Sequence, residues 1–394
     1  MRQGLILVSL LALGCSSGSD TGAAQRGQRA SAAHGDIVVA VAWPWSAHGD
    51  TRFGDGLQLA ADEINGSGGV GGRRLRLVRY DDHESVNDGR VVAQRIAADP
   101  NVVAVIGHLQ SYVTIPASAI YELAGLVLIA PTATDPALTA QGYGMVFRTT
   151  FSDRAVGERM AELAAARGYH RVAITYIRDT YGRGLANAFE ERAAQRGVSV
   201  VARDSYDPSG AVTDQMLAAS VRNWKGSAPD AIFLAGEVPS AATIVAEARR
   251  QGVRQPILGG DAMSSPALIE VAQAAAEGVI VAAAFHPDEP RPEVRQFTGE
   301  FGRRYGQIPD VGAALGYDAV TVLATAMRQA HSSTPVDVAR ALHAMNGWRG
   351  VTGAYAFDSA GNRLSTPIAT TIVENGHFAL LSDSTVTRIA ALAP

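Results

Sequence analysis

Residues 102–136 read VVAVIGHLQSYVTIPASAIYELAGLVLIAPTATDP. Two apolar, β-branched runs, Val102–Ile106 and Leu126–Ile129, flank a segment in which a helix is expected to begin near Ser111. Continuously apolar strands separated by a helix are typical of parallel sheets that are buried on both faces. This stretch therefore predicts an α/β fold in which helices cover both sides of a parallel sheet.

The same alternation extends along the chain from Asp36 and forms two successive series. The other predicted strands are Ile37–Trp43, Leu75–Tyr80, Arg171–Tyr176, Val198–Ala202, Ala231–Leu234, Ile257–Leu258 and Val279–Ala283. The predicted helices are Gly54–Ile64, Asp88–Ala98, Ala155–Arg167, Gly184–Arg196, Ala241–Arg250, Val311–His331 and Val336–Ala344. Two similar series predict two similar lobes. The strand-like segments Ala354–Phe357 and Pro367–Glu374 after the last helix indicate that the chain crosses between the lobes more than once.

The composition excludes several classes of protein. The 394 residues are 47% hydrophobic and 18% charged, which is typical of a globular chain and excludes extensive disorder. The net charge of −4, from 34 basic and 38 acidic residues, provides no basic surface for a nucleic acid partner. A single cysteine excludes a disulfide framework and a structural zinc site.

The amino-terminal segment is typical of an exported lipoprotein. A positively charged start precedes the apolar run Leu5–Gly14, which is too short to span a bilayer. The run ends at Cys15 in a pattern that resembles a bacterial lipobox, so residues 1–15 are interpreted as a signal peptide whose cysteine is lipidated. Residues 16–35 are rich in small and polar residues and are expected to form a flexible tether. Alternatively, Cys15 belongs to a secretion signal that is simply removed.

Two motifs resemble cofactor sites but stand in the wrong context. Gly66–Gly71 matches the dinucleotide pattern GxGxxG, yet it follows a predicted helix and precedes a strand, the reverse of the order that binds phosphate. A glycine-rich turn that ends the helix is expected there instead. Asp81–Glu84 contains metal-binding residue types, but adjacent ligands on one short loop rarely converge on a single ion. Because no nucleophile–base arrangement is recognisable either, we expect no cofactor, no metal and no enzymatic activity.

Two junctions between a strand and a helix have the composition of a binding site. The segments are Ile106–Tyr112 and Ala130–Pro136, each directly after a predicted strand. In open parallel sheets, ligands bind at the carboxyl ends of the strands, where helix amino termini present N–H groups. A carboxylate bound at Ser111 would gain from its hydroxyl, from backbone N–H groups and from the helix dipole. The alternative is ordinary helix capping, for which Ser and Thr are also preferred.

At a larger scale, the chain resembles the type I periplasmic solute-binding proteins, in the leucine/isoleucine/valine-binding branch that serves ABC importers. The resemblance runs from about Asp36 to the carboxyl terminus. The motifs that carry it are Ala61-Asp62-Glu63-Ile64-Asn65, Tyr80-Asp81-Asp82, Ile106-Gly107-His108-Leu109, Ala130-Pro131 through Leu138-Thr139, Gly142-Tyr143, Phe147-Arg148-Thr149 and Tyr181-Gly182. It implies two Rossmann-like lobes joined by a three-strand hinge, with a ligand trapped between them. Residues 36–152 and 285–350 would form the first lobe, and 153–284 and 351–394 the second.

The resemblance also implies how an amino-acid head group would be held. Ser111 would bind the α-carboxylate through its hydroxyl and N–H, with the N–H of Thr134 as a further donor. The carbonyl of Thr132 and the hydroxyl of Thr134 would accept from the α-ammonium. Asp261 would supply the opposing charge that an enclosed ammonium needs, and Tyr181 would close over the ligand from the second lobe. The alternatives are that Asp261 caps the helix after Met263 and that Tyr181 lies in a surface turn.

Three polar residues depart from the branched-chain pattern of the family. Glu237 stands where an aromatic residue is expected, and Gln110 where a small or apolar residue is common. His48 lies near the aromatic lid of the first lobe. A carboxylate in an apolar pocket costs several kcal/mol unless it is paired, so these residues favour a ligand with a polar or cationic side group. Alternatively, Glu237 points to solvent.

These observations predict a lipid-anchored, monomeric solute-binding protein on the periplasmic or cell-surface side of a bacterial membrane. It would capture an amino acid or a similar small polar solute and deliver it to an ABC permease and ATPase complex. The alternative is a ligand-sensing protein of the same fold, in which closure of the lobes signals without transport.

Overall fold

Two sheets organise the protein, and helices cover both faces of each, which confirms the predicted α/β fold with two lobes. The computed structural model describes residues 18–31, 34–48, 52–207, 214–364 and 367–381. The predicted signal peptide and Cys15 lie outside the described residues. Among the helices described, none combines the length and apolar character that a membrane span requires.

The first lobe begins with a five-stranded parallel sheet in the order β2-β1-β3-β4-β5. Its strands are β1 (Ile37–Trp43), β2 (Leu75–Asp81), β3 (Val102–Gly107), β4 (Val127–Ala130) and β5 (Val146–Arg148). The helices of this part are α1 (Gly18–Ser31), α2 (Trp45–His48), α3 (Arg52–Gly66), α4 (Val86–Ala98) and α5 (Ser111–Leu123). Every residue of β1, β3 and β4 is buried, as expected for central strands with helices on both faces.

The second lobe is built on a seven-stranded sheet in the order β14-β13-β10-β9-β8-β6-β7. The strands of its parallel part are β6 (Arg171–Ile177), β7 (Ser199–Tyr206), β8 (Ala231–Ala235), β9 (Ile257–Gly259) and β10 (Ile280–Ala283). Its helices are α6 (Asp153–Ala166), α7 (Thr180–Gln195), α8 (Asp214–Ser227), α9 (Ser240–Arg250) and α10 (Pro266–Ala272).

The chain then returns to the first lobe and crosses once more to the second. The returning elements are α11 (Pro292–Tyr305), α12 (Val311–Ala330), α13 (Pro335–His343), β11 (Asn346–Gly350) and β12 (Gly353–Ala356). The last strands, β13 (Ala369–Glu374) and β14 (His377–Leu380), extend the second sheet in antiparallel orientation. Short 3-10 turns occupy Pro136–Leu138, Asp261–Met263 and Gln273–Ala276. The lobes are thus joined by three crossovers.

The predicted strands and helices are confirmed to within a few residues, but several short or polar elements were not predicted. These are α1, α2, β5, α8, α10, α11, β11 and β14. Strands of three to five residues are too short to show a period, and Pro-started helices with mixed polarity resemble loops. The GxGxxG segment is a turn after α3, as predicted, with Gly68, Gly69 and Gly71 at positive φ.

Most of the segment for which a flexible tether was predicted is helical in the structure. Residues Gly18–Ser31 form helix α1, and the side chain of Arg26 is only 1% exposed. The polar composition concealed this helix, because its contact with the first lobe is made by a cation and backbone carbonyl groups instead of an apolar stripe.

The hairpin β11–β12 also differs from the predicted division of the lobes after residue 350. Tyr355 and Phe357 are buried in the core of the first lobe, and the Phe357 ring lies edge-on to Phe147 with 5.3 Å between centroids. These rings need an apolar environment, and the first sheet provides it. This packing groups Tyr355 and Phe357 with the first lobe, whereas the predicted boundary assigned them to the second.

Helices α3 and α12 approach closely, because a glycine on each helix faces the backbone of the other. A Cβ on Gly56 would lie 2.0 Å from the carbonyl oxygen of Ala313, and one on Gly316 would lie 2.4 Å from that of Phe53. The close contact brings the first turn of α12 to the edge of the first sheet. This edge faces the second lobe.

A buried carboxylate connects α12 to the β11–β12 hairpin. Asp318, 1% exposed, accepts hydrogen bonds from the N–H groups of Val351 and Thr352 at 2.9 and 2.8 Å. The hydroxyls of Thr352 and Tyr355 donate to the same carboxylate at 2.6 and 2.9 Å. Arg363 lies over the Tyr355 ring and donates to Thr352 Oγ1. Four donors therefore converge on one carboxylate.

We expect Asp318→Ala to lower the free energy of unfolding by about 3–5 kcal/mol, because it leaves buried donors unpaired and removes the counter-charge of Arg363. Chemical denaturation of both proteins measures this difference. Asp288→Ala is the matched control, since the Asp288 side chain is 84% exposed, and it should change stability by less than about 0.5 kcal/mol. Equal effects of the two substitutions would contradict this role of Asp318.

Candidate functional site

A cavity of about 290 Å³ lies between the two lobes at the carboxyl ends of the parallel strands. The predicted site residues that line it are Gln110, Ser111, Thr132 and Thr134 from the first lobe and Tyr181, Glu237 and Asp261 from the second. They come from five different loops or helix starts, yet they surround one space. The side chain of His48, the eighth predicted residue, lies outside the described part of the structure.

Helix α5 starts at the cavity wall. Ser111 is its first residue and is 4% exposed, and Gln110 precedes it as the N-cap without a side-chain capping bond. The positive end of the helix dipole therefore points at the cavity. The Ser111 hydroxyl accepts a hydrogen bond from the N–H of Asp135 at 3.3 Å, which ties the two predicted junctions together. This wall suits an anion.

Thr132 and Thr134 are fixed by bonds that run away from the cavity. The Thr132 hydroxyl donates to the carbonyl of Leu109 at 2.9 Å, which locks its loop to the start of α5. The carbonyl of Thr134 accepts from Arg148 Nη1 at 2.8 Å and from the N–H of Asp153 at 2.9 Å. The polar atoms of this loop are therefore held in place before any ligand arrives.

A buried chain of polar groups lies beneath α5. Asp82, 1% exposed, is 2.6 Å from Nδ1 of His108, and Nε2 of His108 is 2.9 Å from the Tyr121 hydroxyl. Asp82 belongs to the segment Asp81–Glu84, which resembles a metal cluster in the sequence. In the structure its carboxylate pairs with His108. Among the described residues, no group of three or more metal-ligating side chains converges.

The opposite wall carries Tyr181 and Asp261. Asp179 caps α7 by accepting from the N–H of Gly182 at 2.7 Å, which places Tyr181 in the first turn of that helix. The Tyr181 hydroxyl donates to Asp261 Oδ1 at 3.1 Å. Asp261 opens a 3-10 turn, and α10 is capped by Ser265, so the alternative that Asp261 caps this helix is wrong. Tyr181 is 6% exposed, which also excludes a surface turn.

Burial raises the pKa of Asp261 to about 6, although the hydrogen bond from Tyr181 opposes the shift. Asp153, which is fully buried behind this wall, has its pKa raised by burial and further by the charge of Asp261. The second-lobe wall therefore holds two carboxyl groups whose charged forms are disfavoured, because burial removes water from both and the charge of Asp261 opposes ionisation of Asp153. A cation placed beside Asp261 would relieve this repulsion.

Gln110 bridges the two lobes at one side of the cavity. Its Nε2 atom donates to Glu84 Oε1 at 2.7 Å and to Glu237 Oε2 at 3.1 Å. Glu237 is half-buried and lines the cavity, so it does not simply point to solvent. One amide is thus shared between a carboxylate of each lobe.

The remainder of the lining was not predicted from the sequence. It is mostly apolar and includes Trp43, Phe53, Leu109, Phe151, Val311 and Leu315. An ion pair between Arg52 and Asp310, with 3.7 Å between Nη1 and Oδ2, stands among these side chains. The sequence offered one signal for this lining, which is that some of these residues lie at the end of β1 or the start of α12. Strand ends and helix starts gather at the edge of the sheet where ligands bind.

The known proteins that resemble this chain are of one kind, the solute-binding proteins. The sequence profile of the periplasmic binding protein family matches residues 37–377. The leucine-specific-binding protein of Salmonella typhimurium is 30% identical over 328 residues, which are 83% of this chain and 86% of that protein. The ABC transporter substrate-binding protein of Desulfitobacterium hafniense, solved in complex with Leu, is 36% identical with a TM-score of 0.79 and covers 88% of this chain and 100% of its own. The substrate-binding protein of the branched-chain amino acid transporter of Streptococcus pneumoniae, solved with isoleucine, is 27% identical with a TM-score of 0.80 and covers 88% and 99%.

We expect the carboxyl group of Asp261 to titrate near pH 6 in the ligand-free protein, because burial disfavours its charged form. Tyr181→Phe should raise this midpoint, since the ionised carboxylate loses the hydroxyl that donates to it. Carbon NMR of labelled aspartate carboxyl groups measures both midpoints, and Asp261→Asn identifies the resonance. A midpoint near 4, the usual value for an exposed aspartate, would contradict this burial effect.

Proposed function

Because this chain belongs to the periplasmic binding protein family, in the branch of branched-chain amino acid ABC transporters, we propose that it captures an amino acid or a similar small polar solute and delivers it to an ABC importer. The family binds solutes without converting them chemically, so the expectation that the chain is not an enzyme is confirmed.

The observation that carries the proposal is the opposite polarity of the two cavity walls. The start of α5 with Ser111 favours negative charge, and Asp261 on the other lobe favours positive charge. An amino-acid head group carries both charges within one small unit. A zwitterion that lies between these walls would have each charge beside its complement, which suits it better than a purely anionic or purely cationic solute.

In this arrangement the α-carboxylate binds the hydroxyl and N–H of Ser111 and the N–H of Thr134. The α-ammonium donates to the carbonyl of Thr132, to the hydroxyl of Thr134 and to Asp261. The Thr132 hydroxyl already donates to Leu109 and His108, so its carbonyl is the atom of this residue assigned to the ligand. Tyr181 contributes by orienting Asp261.

Transport then follows from closure of the lobes. The head group touches residues of both lobes, so the ligand binds the closed form better than the open form and shifts the hinge equilibrium towards it. The importer would recognise the closed form. We assign residues 36–152 and 285–364 to the first lobe and 153–284 and 367–381 to the second. The predicted boundary at residue 350 is thereby moved to residue 364, beyond the β11–β12 hairpin.

The side group of the ligand is proposed to be polar or cationic at its end. The relatives named above bind leucine or isoleucine by their names or bound ligands, whereas this cavity carries Glu237 and Gln110. A donor on the ligand could replace Gln110 as the partner of Glu237, while the apolar lining would hold the carbon chain. With Glu84 close by, the local field favours a positive charge.

Lipidation at Cys15 would hold the protein on the outer side of the membrane, in the periplasm or at the cell surface. Support comes from the apolar run, from the cysteine at its end and from the relatives, which are substrate-binding proteins of ABC transporters. The lipid would keep the solute-binding protein near its permease and raise their effective concentration.

We expect Ser111→Ala to weaken binding of carboxylate ligands by about 1–3 kcal/mol, because a charge-assisted hydrogen bond is lost. Isothermal titration with the identified amino acid measures the change. Ser118→Ala, in the same helix but bonded to the Ile115 carbonyl away from the cavity, should leave affinity unchanged. If an analogue with the carboxylate converted to an amide is weakened equally, the head group lies elsewhere.

The proposed ligand class is tested by thermal unfolding of residues 18–394 with each of the twenty amino acids. Free ligand at a thousandfold excess over Kd stabilises by about 4 kcal/mol, enough for a clear rise in Tm. We expect the rise with polar or cationic amino acids, and Glu237→Tyr should transfer it to apolar ones. A rise with leucine, isoleucine and valine alone in the unchanged protein would show that Glu237 does not select the side group.

A further inference from the structure

The side chain of Gln110 stands at a helix start but does not cap the helix. Gln110 is the N-cap residue of α5, where a side chain usually accepts from the N–H groups of the first turn, and it makes no such bond. Its amide nitrogen Nε2 donates instead to Glu84 of the first lobe at 2.7 Å and to Glu237 of the second at 3.1 Å. The Gln110 side chain therefore has a role other than capping.

The two carboxylates are held beside this amide by their own loops. Glu84 follows β2, and its N–H donates to Asp82 Oδ1 at 3.0 Å, on the same buried carboxylate that pairs with His108. Glu237 follows β8, and its carbonyl accepts from the Ser240 hydroxyl at 2.8 Å. Each lobe thus presents one carboxylate from a backbone position that hydrogen bonds fix.

The amide nitrogen occupies a seat between two negative charges. The seat is defined as the position of Gln110 Nε2, between Glu84 Oε1 and Glu237 Oε2. These two oxygens are at most about 6 Å apart, because both lie within hydrogen-bond distance of one atom. Burial raises the pKa of the Tyr112 hydroxyl, and the charges of Glu84 and Glu237 raise it further, so both charges act at one place. Carboxylates only accept hydrogen bonds, so the seat requires a donor.

Closure of the lobes forms the seat, because its two carboxylates belong to different lobes. Two like charges at this separation repel by an energy equivalent to roughly a tenfold change in an equilibrium constant. A donor that bonds both carboxylates offsets this repulsion. Gln110 supplies two amide hydrogens but no charge. The seat borders the cavity, since Gln110 and Glu237 both line it, so a cation on the ligand can reach the same place.

We propose that Gln110 is a built-in substitute for a cationic side group, so that the closed cleft accepts amino acids with and without a side-chain cation. The inference rests on the proposed binding of an amino-acid head group in the same cavity. A ligand without a side-chain cation leaves the amide in the seat, and the lobes close on it. A ligand with an ammonium or guanidinium group places that group in the seat, and the amide withdraws. Gln110 thereby determines specificity for the side group, whereas Ser111 and Asp261 hold the head group.

Removal of the amide tests this role. In Gln110→Met the side chain keeps its length but has no donor for the two carboxylates. We expect isothermal titration to show that L-threonine binds about tenfold more weakly than to the unchanged protein, whereas L-lysine binds equally or more tightly. Gln141→Met is the matched control, since the exposed Gln141 amide donates to the Ala137 carbonyl and should alter neither affinity. Equal weakening of both amino acids overturns the proposal.

A permanent cation in the seat should give the opposite change. In Gln110→Lys the introduced ammonium bonds both carboxylates, so L-threonine should keep its affinity. L-Lysine should bind at least about tenfold more weakly, because its side-chain ammonium finds the seat taken and a like charge beside it. A general fault in folding weakens both amino acids in both variants and cannot produce these opposite changes. If Gln110→Lys binds L-lysine as tightly as the unchanged protein, the proposal is wrong.

A second substitution tests repulsion between the lobes as the cause. Added to Gln110→Met, Glu84→Gln removes one of the two charges, so the remaining Glu237 has no facing carboxylate to repel it. The affinity for L-threonine should then return to within about threefold of that of the unchanged protein. An affinity that stays low shows that another effect of Gln110→Met weakened binding, and the proposal fails.

Binding by the unchanged protein separates this inference from the proposed function. If none of the twenty amino acids binds, the proposed function fails and the inference falls with it. If amino acids bind but either L-lysine or L-threonine does not, the capture of amino acids stands and the role of Gln110 as a substitute cation is overturned.

Discussion

The guanidinium of Arg148 is the interaction on which the arrangement of the cleft depends. It is 2% exposed at the end of β5, where the chain leaves the first lobe. It donates to the carbonyls of Thr134 and Asp135 in the cavity loop and to Thr139 and Asn362, so one cation joins the cavity loop to the segment that follows β12. Burial lowers the pKa of Arg148 to about 10, yet the group stays charged at neutral pH.

The acidic groups around this cation explain why the cleft is electrostatically uneven. Asp153 follows Arg148 by five residues on the first crossover, and Asp261 stands beside it on the second lobe. The charge of Asp261 raises the cost of ionising Asp153, and the charge of Arg148 offsets this cost only in part. The two lobes therefore meet with opposite preferences for charge. A ligand that carries both charges therefore lowers the energy of the closed state more than a ligand that carries only one of them.

Much of the site was predictable because it lies at strand ends. Ser111, Thr132 and Thr134 directly follow β3 and β4, and parallel strands present their carboxyl ends at one edge. Asp261 and Tyr181 were placed by family resemblance, and the structure brings both to the same cavity. The apolar lining, the Arg52–Asp310 pair and the bond from Gln110 to Glu84 were not predictable. They join residues far apart in the sequence, and no local spacing records such contacts.

The amino-acid sequence by itself determined the strands, most of the helices and the α/β class, because hydrophobic periodicity is a local property that persists through folding. It also determined the residue types at the ends of the strands. Only the tertiary structure decided that the polar amino-terminal segment is a packed helix, that the hairpin near Tyr355 belongs to the first lobe, and that Gln110 lies between carboxylates of both lobes. The physical reason is the same in each case. The guanidinium of Arg26, the ring of Phe357 and the amide of Gln110 are each stabilised by partners that the fold brings together. Those partners have no fixed separation along the chain.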